Sequence, residues 1–229
     1  MSAGPDARAA EDYDLVYPDW DEAVERIRRL LAGHLPEPSG RTLLDCTCGS
    51  GMTAQAAQEL GWRVTGVDAS PAMLDRARTR LPDVELIACD VRTLNQVLKR
   101  TFDAVVSVGN ELTSLPPGDL PLALAQMQSR CKSGGAAMIV IRDLTERPRS
   151  GVWRDDALCR ATARFVQEGP KDIRYTLEIS DAHGVRTHDL MLHPVTDLEL
   201  VAALDDAGFT ARRSEHAGGR LIVSAVRTR

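Results

Sequence analysis

Aromatic residues are scarce in this 229-residue sequence, with three each of Trp, Tyr and Phe, or 4% of the chain. Tyr13, Tyr17 and Trp20 nevertheless fall within eight residues. A basic excess is missing too. Lys and Arg number 28 against 33 Asp and Glu, giving a net charge of −5 and a pI of about 5.6. A general nucleic-acid binder presents a basic face to the phosphates, so no nucleic-acid partner is expected. No apolar run approaches the roughly 18–20 residues that span a bilayer, and no membrane partner is expected. The first dozen residues are polar and acidic, unlike a secretory signal. The five cysteines are an odd number without framework spacing, which reads as a reduced, cytoplasmic setting. Cys46 and Cys48 have no Cys/His pair nearby to complete a zinc site, so they read as core filling and no metal is expected. There is no internal repeat.

What is present is a normal hydrophobic share, 43%, in a length that suits one domain with an elaboration. Residues 1–10 read as loose. Val24, Ile27, Leu30 and Leu31 recur at helical spacing over 20–35. From there strand and helix alternate. Strands are expected at 42–45, 63–67, 84–88, 102–108 and 136–141, with helices at 52–60, 71–81, 93–99 and 119–131. Ser70-Pro71 supplies an N-cap followed by proline at the first helical position. Residues 102–108 are nearly continuously apolar, as a strand buried on both faces should be. This rhythm implies a parallel sheet.

After Asp143 the period changes to two. Ile173, Tyr175, Leu177 and Ile179 alternate with polar residues, and 158–167 and 185–193 resemble them. Thr196 with Glu199 forms a capping box for a helix that ends at Gly208. Two strands joined at Gly218-Gly219 finish the chain. The expected division is an N-terminal segment 1–20 acting as a lid, a core of 21–149 and 195–229, and an antiparallel sheet at 150–194 that covers a substrate.

The chemistry concentrates in Leu43-Leu-Asp-Cys-Thr-Cys-Gly-Ser-Gly51, followed by Val64-Thr-Gly-Val-Asp68. Glycines at 49 and 51 let the backbone turn tightly against a ligand. Asp68 ends the second strand, where a carboxylate can accept both hydroxyls of a ribose. Gly49-x-Gly51-x-x-Ala54 with Asp68 also fits a dinucleotide pattern. Three features favour a different adenosine-bearing cofactor. Asp45 sits just before the turn, where it would repel a pyrophosphate and suit an ammonium or sulfonium. Asp90 follows the third strand, where a carboxylate can meet an adenine amine. The chain ends in an antiparallel hairpin instead of another crossover.

These segments, with ACDVRTL, FDAVVSVGNELTSLP and SGGAAMIVI, resemble the class I S-adenosylmethionine-dependent methyltransferases over about residues 42–141. The resemblance implies an α/β, Rossmann-like seven-stranded sheet with its last strand antiparallel. It also implies S-adenosyl-L-methionine as cofactor, held by Tyr13, Asp45, Cys46, Gly49, Gly51, Asp68, Ala69, Met73, Asp90, Val91 and Val108. Within that family the chain is similar to the glycine N-methyltransferase group of small-molecule enzymes. That similarity implies a small-molecule acceptor, with catalytic roles and acceptor contacts for Asn110 and Arg142; the clustered aromatics add Tyr17 and Trp20, and the inserted sheet adds Arg164, as further acceptor contacts. Two positions depart from the group: Thr47 stands between two cysteines in the turn, and no basic residue lies near residues 18–19.

Methyl transfer to an amine is the leading expectation. Transfer to an oxygen of a small acid or hydroxylated metabolite, nicotinamide-dependent oxidoreduction and non-catalytic cofactor binding are its alternatives. A monomer or homodimer is expected. Arg160, Arg164 and Arg174 read as a solvated face, with a lid that recognises an anionic substrate as the alternative. His188 and His193 read as separate surface or packing residues on opposite sides of a strand, either of which could serve as a base.

Overall fold

A computed structural model describes residues 7–17, 19–145 and 150–228. The chain opens with helices α1 (Ala7–Val16) and α2 (Trp20–His34), the second capped by the Asp19 carboxylate accepting the Glu22 amide at 2.8 Å. Alternation follows: β1 (Thr42–Asp45), α3 (Met52–Glu59), β2 (Arg63–Asp68), α4 (Pro71–Arg80) and β3 (Glu85–Ala88). A 3-10 turn at Val91–Thr93 leads into α5 (Leu94–Val97), then β4 (Phe102–Val108), α6 (Glu111–Ser114), α7 (Asp119–Arg130) and β5 (Cys131–Arg142). An insertion follows, made of β6 (Gly151–Asp155), β7 (Cys159–Gly169), β8 (Asp172–Asp181) and β9 (Gly184–Leu192). The chain closes with α8 (Asp197–Asp206), β10 (Phe209–Ala217) and β11 (Arg220–Arg227).

Seven strands form one sheet in the order β10-β11-β5-β4-β1-β2-β3. The strands from β5 to β3 run parallel, and β11 lies antiparallel to both β5 and β10. Alternation along each strand feeds two cores. Leu43, Ala104, Val106 and Val140 face α2 and α3, with Val24, Leu31 and Ala56. Leu44, Val105, Ile139 and Val223 face the other side, with Leu124, Met127, Leu200 and Leu204. All five cysteines are free and buried. The second sheet has order β6-β7-β8-β9 and is antiparallel throughout. Ile173, Leu177 and Ile179 of β8 are buried, as their spacing predicts.

The structure differs from the sequence reading at several points. Ala7–Ala10, read as loose, belong to α1; residues 1–6, read the same way, lie outside the described residues. Helix α1 is held by tertiary contacts that no local signal reports. Asp12, only 2% exposed, accepts hydrogen bonds from Arg186 Nε (2.9 Å) and Nη2 (2.7 Å) and from His188 Nε2 (2.6 Å). Leu15 and Val16 pack on Cys159, Ala161 and Ile179 of the insertion. Strand β5 starts at Cys131 because the Gly134-Gly135 turn is absorbed as a register shift against β4. Strand β6 and the single turn α6 were also absent from the reading. Among the described residues, no helix is long and apolar enough to cross a membrane.

Candidate functional site

A cavity of about 530 Å³ opens at the carboxyl ends of β1, β2 and β4, where parallel sheets bind ligands. Its floor is the turn after β1, Thr47 to Ser50, together with Met52 and Thr53. Asp68 and Met73 line one side, and Val108, Gly109 and Glu111 another. Tyr13, Tyr17, Ile27 and Leu30 come from the N-terminal helices and the joint between them. Ala217, Gly218 and Arg220 come from the terminal hairpin.

The turn is tight because α4 packs directly behind it. Gly51 caps α3 with φ of 98°, and a Cβ there would stand 2.8 Å from Leu81 Cδ1 and 3.2 Å from Ala77 Cβ. The Gly49 amide turns outward to donate to Asp68 Oδ2 at 2.8 Å, while Asp68 Oδ1 accepts the Ser70 amide at 2.8 Å. Burial raises the Asp68 carboxyl, and these two amides oppose the rise. Each oxygen keeps a further lone pair for a hydroxyl.

Asp45 is fully buried beneath this turn. Its Oδ1 accepts a long bond from the Thr47 amide, 3.4 Å, and its Oδ2 has no partner. Burial, with repulsion from Asp68 and Glu111, pushes its carboxyl up to about 8. Glu111 follows β4 and folds its side chain back over Gly109, where a Cβ would collide with Oε2. That oxygen is buried without a partner. Burial and the Asp68 charge push Glu111 up to about 7, against the pull of Arg220. Ser50 Oγ, in the cavity floor, is a third buried polar atom without a partner. Native interiors satisfy such groups, and here three stay unsatisfied: Ser50 and Glu111 in the cavity lining and Asp45 below it.

The sequence-chosen residues divide into two sets. Tyr13, Tyr17, Gly49, Asp68, Met73 and Val108 line the cavity. Asp45 lies beneath it, Gly51 shapes its turn, and Cys46 is buried in the core on one face of the sheet. Ala69, Asp90 and Val91 sit beyond β2 and β3 and do not line it. Asp90 is gripped by Arg92 through Nε and Nη2, and this pairing holds its carboxyl below the usual range. Asn110 caps α6, its carbonyl accepting Thr113 Oγ1 at 2.8 Å, and it is not a lining residue. Trp20 lies outside the cavity, donating to Gln55 Oε1 at 2.8 Å with Arg80 stacked 3.9 Å from its ring. Arg164 is exposed on the insertion beside Glu178, at 3.9 Å.

Arg142 ends β5 against the insertion. Its guanidinium stands 5.2 Å from the Trp153 ring and 5.5 Å from Phe165, and both rings stack with Tyr175. Its Nε is buried without a partner. Tyr17, which lines the cavity, also acts on Arg142 electrostatically, so this corner adjoins the cavity. Glu111 and Arg220 escaped the sequence reading. A signal for Glu111 existed: it is a carboxylate at the carboxyl end of a parallel strand.

Comparison with known proteins agrees with this geometry. The methyltransferase-domain family matches residues 43–135, from the first strand to the start of the fifth. The dTDP-3-amino-3,4,6-trideoxy-alpha-D-glucopyranose N,N-dimethyltransferase of Streptomyces venezuelae is 32% identical over 216 residues, covering 87% of this chain and 89% of that one. The cypemycin N-terminal methyltransferase of a Streptomyces species is 36% identical over 149 residues, which are 64% of this chain and 59% of that protein. Among solved structures, S-adenosylmethionine-bound CalS10, an amino pentose methyltransferase from Micromonospora echinaspora, is 27% identical with a TM-score of 0.74, covering 100% of this chain and 99% of that one. Given a relative matched along nearly its whole length, and the family's domain spanning the strands that build the cavity, the chain belongs to the S-adenosylmethionine-dependent methyltransferases.

Proposed function

We propose that this enzyme methylates an amine nitrogen of a small molecule. The observation that carries the reading is the acidic cavity. Asp68 and Glu111 line it, Asp45 lies beneath, and two of these carboxylates have a buried oxygen without a partner. Such a wall attracts cations, and an amine acceptor arrives as one. The relatives named as an N,N-dimethyltransferase of an amino sugar and as a cypemycin N-terminal methyltransferase support the same chemistry.

S-adenosylmethionine, when bound, supplies a methyl group activated on a sulfonium. The residues around it have three tasks. Asp68 would hold a ribose diol. The Ser50 hydroxyl, in the lining, and Asp45, buried below it, would receive the ammonium of the amino-acid end. Tyr13 and Tyr17, cavity-lining residues with rings 5.0 Å apart, would shield the reacting groups from water. Alignment at attack distance is the main contribution that such a site makes. Arg142, with its free Nε and aromatic neighbours, suits an anionic or planar part of the acceptor, and the insertion serves as that part's cover. Asn110 and Arg164 gain no support from their positions. Asp90 would have to serve an adenine amine while keeping its bonds to Arg92. Five buried free thiols are in keeping with a reducing compartment.

The test is methyl transfer from labelled S-adenosylmethionine to an amino-sugar nucleotide and to a panel of amines and hydroxy acids. Products are resolved by mass spectrometry with fragmentation. Methyl on nitrogen is expected. Methyl on oxygen alone, or titration showing that the protein binds NAD but not S-adenosylhomocysteine, overturns the reading.

A further inference from the structure

The site has two orphaned carboxylates, and methylation of an amine brings two ammonium groups. One belongs to the cofactor and the other to the acceptor. Asp45 precedes the nucleotide turn and lies below it, on the cofactor's side. Glu111 follows the adjacent strand β4, lines the cavity itself, and feels Arg220 of the terminal hairpin and Tyr13 of α1. We propose that Glu111 is a catalytic base: its carboxylate binds the acceptor's ammonium group and takes the proton that must leave before nitrogen can attack. This rests on the amine-methylating reading above.

The step balances without a further reactant. An N–H bond of the ammonium breaks, its proton passes to Glu111 Oε2, and the electron pair stays on nitrogen. That pair forms the new N–C bond while the S–C bond breaks, leaving its electrons on a neutral sulfur. Glu111 then releases its proton to solvent. An ordinary glutamate is too weak a base for this task, and its environment strengthens it. Titratable groups of four elements shape that environment: Asp45 of β1 and Asp68 of β2 repel its charge, Tyr13 of α1 interacts with it, and Arg220 of β11 pulls the other way. A base poised near neutral pH is the efficient choice for a proton transfer of this kind. The fold fixes the position as well, because only glycine at 109 leaves room for the returning side chain.

The experiment compares wild type with Glu111→Gln, Glu111→Asp and Asp45→Asn. S-adenosylhomocysteine affinity is measured first, by calorimetry. Glu111→Gln should stay within about threefold of wild type, since a change under ~0.7 kcal/mol means no lost charged contact. A loss of tenfold or more assigns Glu111 to the cofactor and overturns the proposal. Transfer to the amino sugar nucleotide named for the Streptomyces venezuelae relative is then followed from pH 6 to 9. Wild-type kcat/KM should rise through about 7. In Glu111→Gln it should fall by about a hundredfold or more and lose that limb, as removal of a general base does, and Glu111→Asp should restore part of both. Unchanged turnover, or a retained limb in Glu111→Gln, overturns the role. Wild type that binds S-adenosylhomocysteine but methylates no amine sinks the amine reading itself, and this proposal with it.

Discussion

Asp45 and Asp103 are the same residue type one strand apart, yet their carboxyls end at opposite ends of the scale. Both resist burial. Asp103 is compensated by Lys132 at 2.8 Å and by the Thr42 amide and hydroxyl, and falls to about 2. Asp45 has one long amide contact, and rises to about 8. An uncompensated carboxylate in the core is costly unless something completes it. A cofactor ammonium would, and binding it would expel the proton that Asp45 holds near neutrality. S-adenosylhomocysteine affinity should therefore increase with pH up to about 8, by at most about tenfold per unit. Calorimetry in two buffers of different ionisation enthalpy should detect the released proton. Asp45→Asn should bind about 10–100-fold more weakly, the worth of a charge-assisted hydrogen bond, and with little pH dependence. Binding that is equally pH-dependent in Asp45→Asn places the proton elsewhere. Much of this was readable, because Asp45, Gly49 and Asp68 are fixed by their spacing around one turn. For Glu111 only the position, a carboxylate after a parallel strand, was readable; its side-chain direction depends on the backbone of Gly109 and on the hairpin facing it.

Elements defined by local signals were legible, and those defined by distant contacts were not. Helices α4 and α8 announce themselves through Ser70-Pro71 and the Thr196–Glu199 box, and both caps form. Strand β8 shows its alternation. Helix α1 has few large apolar residues; its anchor is Asp12, joined to Arg186 174 positions away. Arg186 spans two carboxylates, donating to Asp181 at 2.9 and 2.6 Å while it holds Asp12, and Arg154 donates to the Leu15 carbonyl nearby. Burial alone would raise the Asp12 carboxyl, but hydrogen bonds from Arg186 and His188 outweigh it and hold it below its usual value. The latch thus persists at neutral pH and weakens only as acid protonates Asp12. It ties Tyr13 and Tyr17 over the cavity to the insertion. Arg186→Ala leaves the buried Asp12 carboxylate with His188 alone, so α1 should open more often. Amide exchange across 7–16 should speed by about tenfold or more. The strands of the main sheet should keep their protection. Exchange that is unchanged in α1 shows that apolar packing on Cys159 and Ala161, and not the ion pairs, holds the helix.

For the molecule as a whole, folding moves carboxyls in both directions, and the two groups act in different pH ranges. Asp12, Asp103, Asp143, Asp181 and Glu199 are lowered. Their contributions are complete above the unfolded values near 4 and disappear only in stronger acid. Asp45, Asp68 and Glu111 are raised, to about 8 for Asp45 and about 7 for Glu111. Between about pH 5 and 8 the folded chain therefore holds protons that the unfolded chain has lost, and stability must fall as pH rises. The ligand-free enzyme should show its melting temperature declining across that interval, although most soluble domains are near their optimum there. S-adenosylhomocysteine at saturating concentration should flatten the decline, because the ligand compensates the charge on Asp45 and adds its own binding energy to the folded state. Asp45→Asn should flatten it without ligand and be the more stable protein at pH 8, the usual trade of stability for a functional charge. Differential scanning calorimetry at several pH values decides this. A wild-type melting temperature that is level or rising from about 5 to 8 means that the cavity carboxylates are already compensated, and the acidic wall is then no attractor for cations.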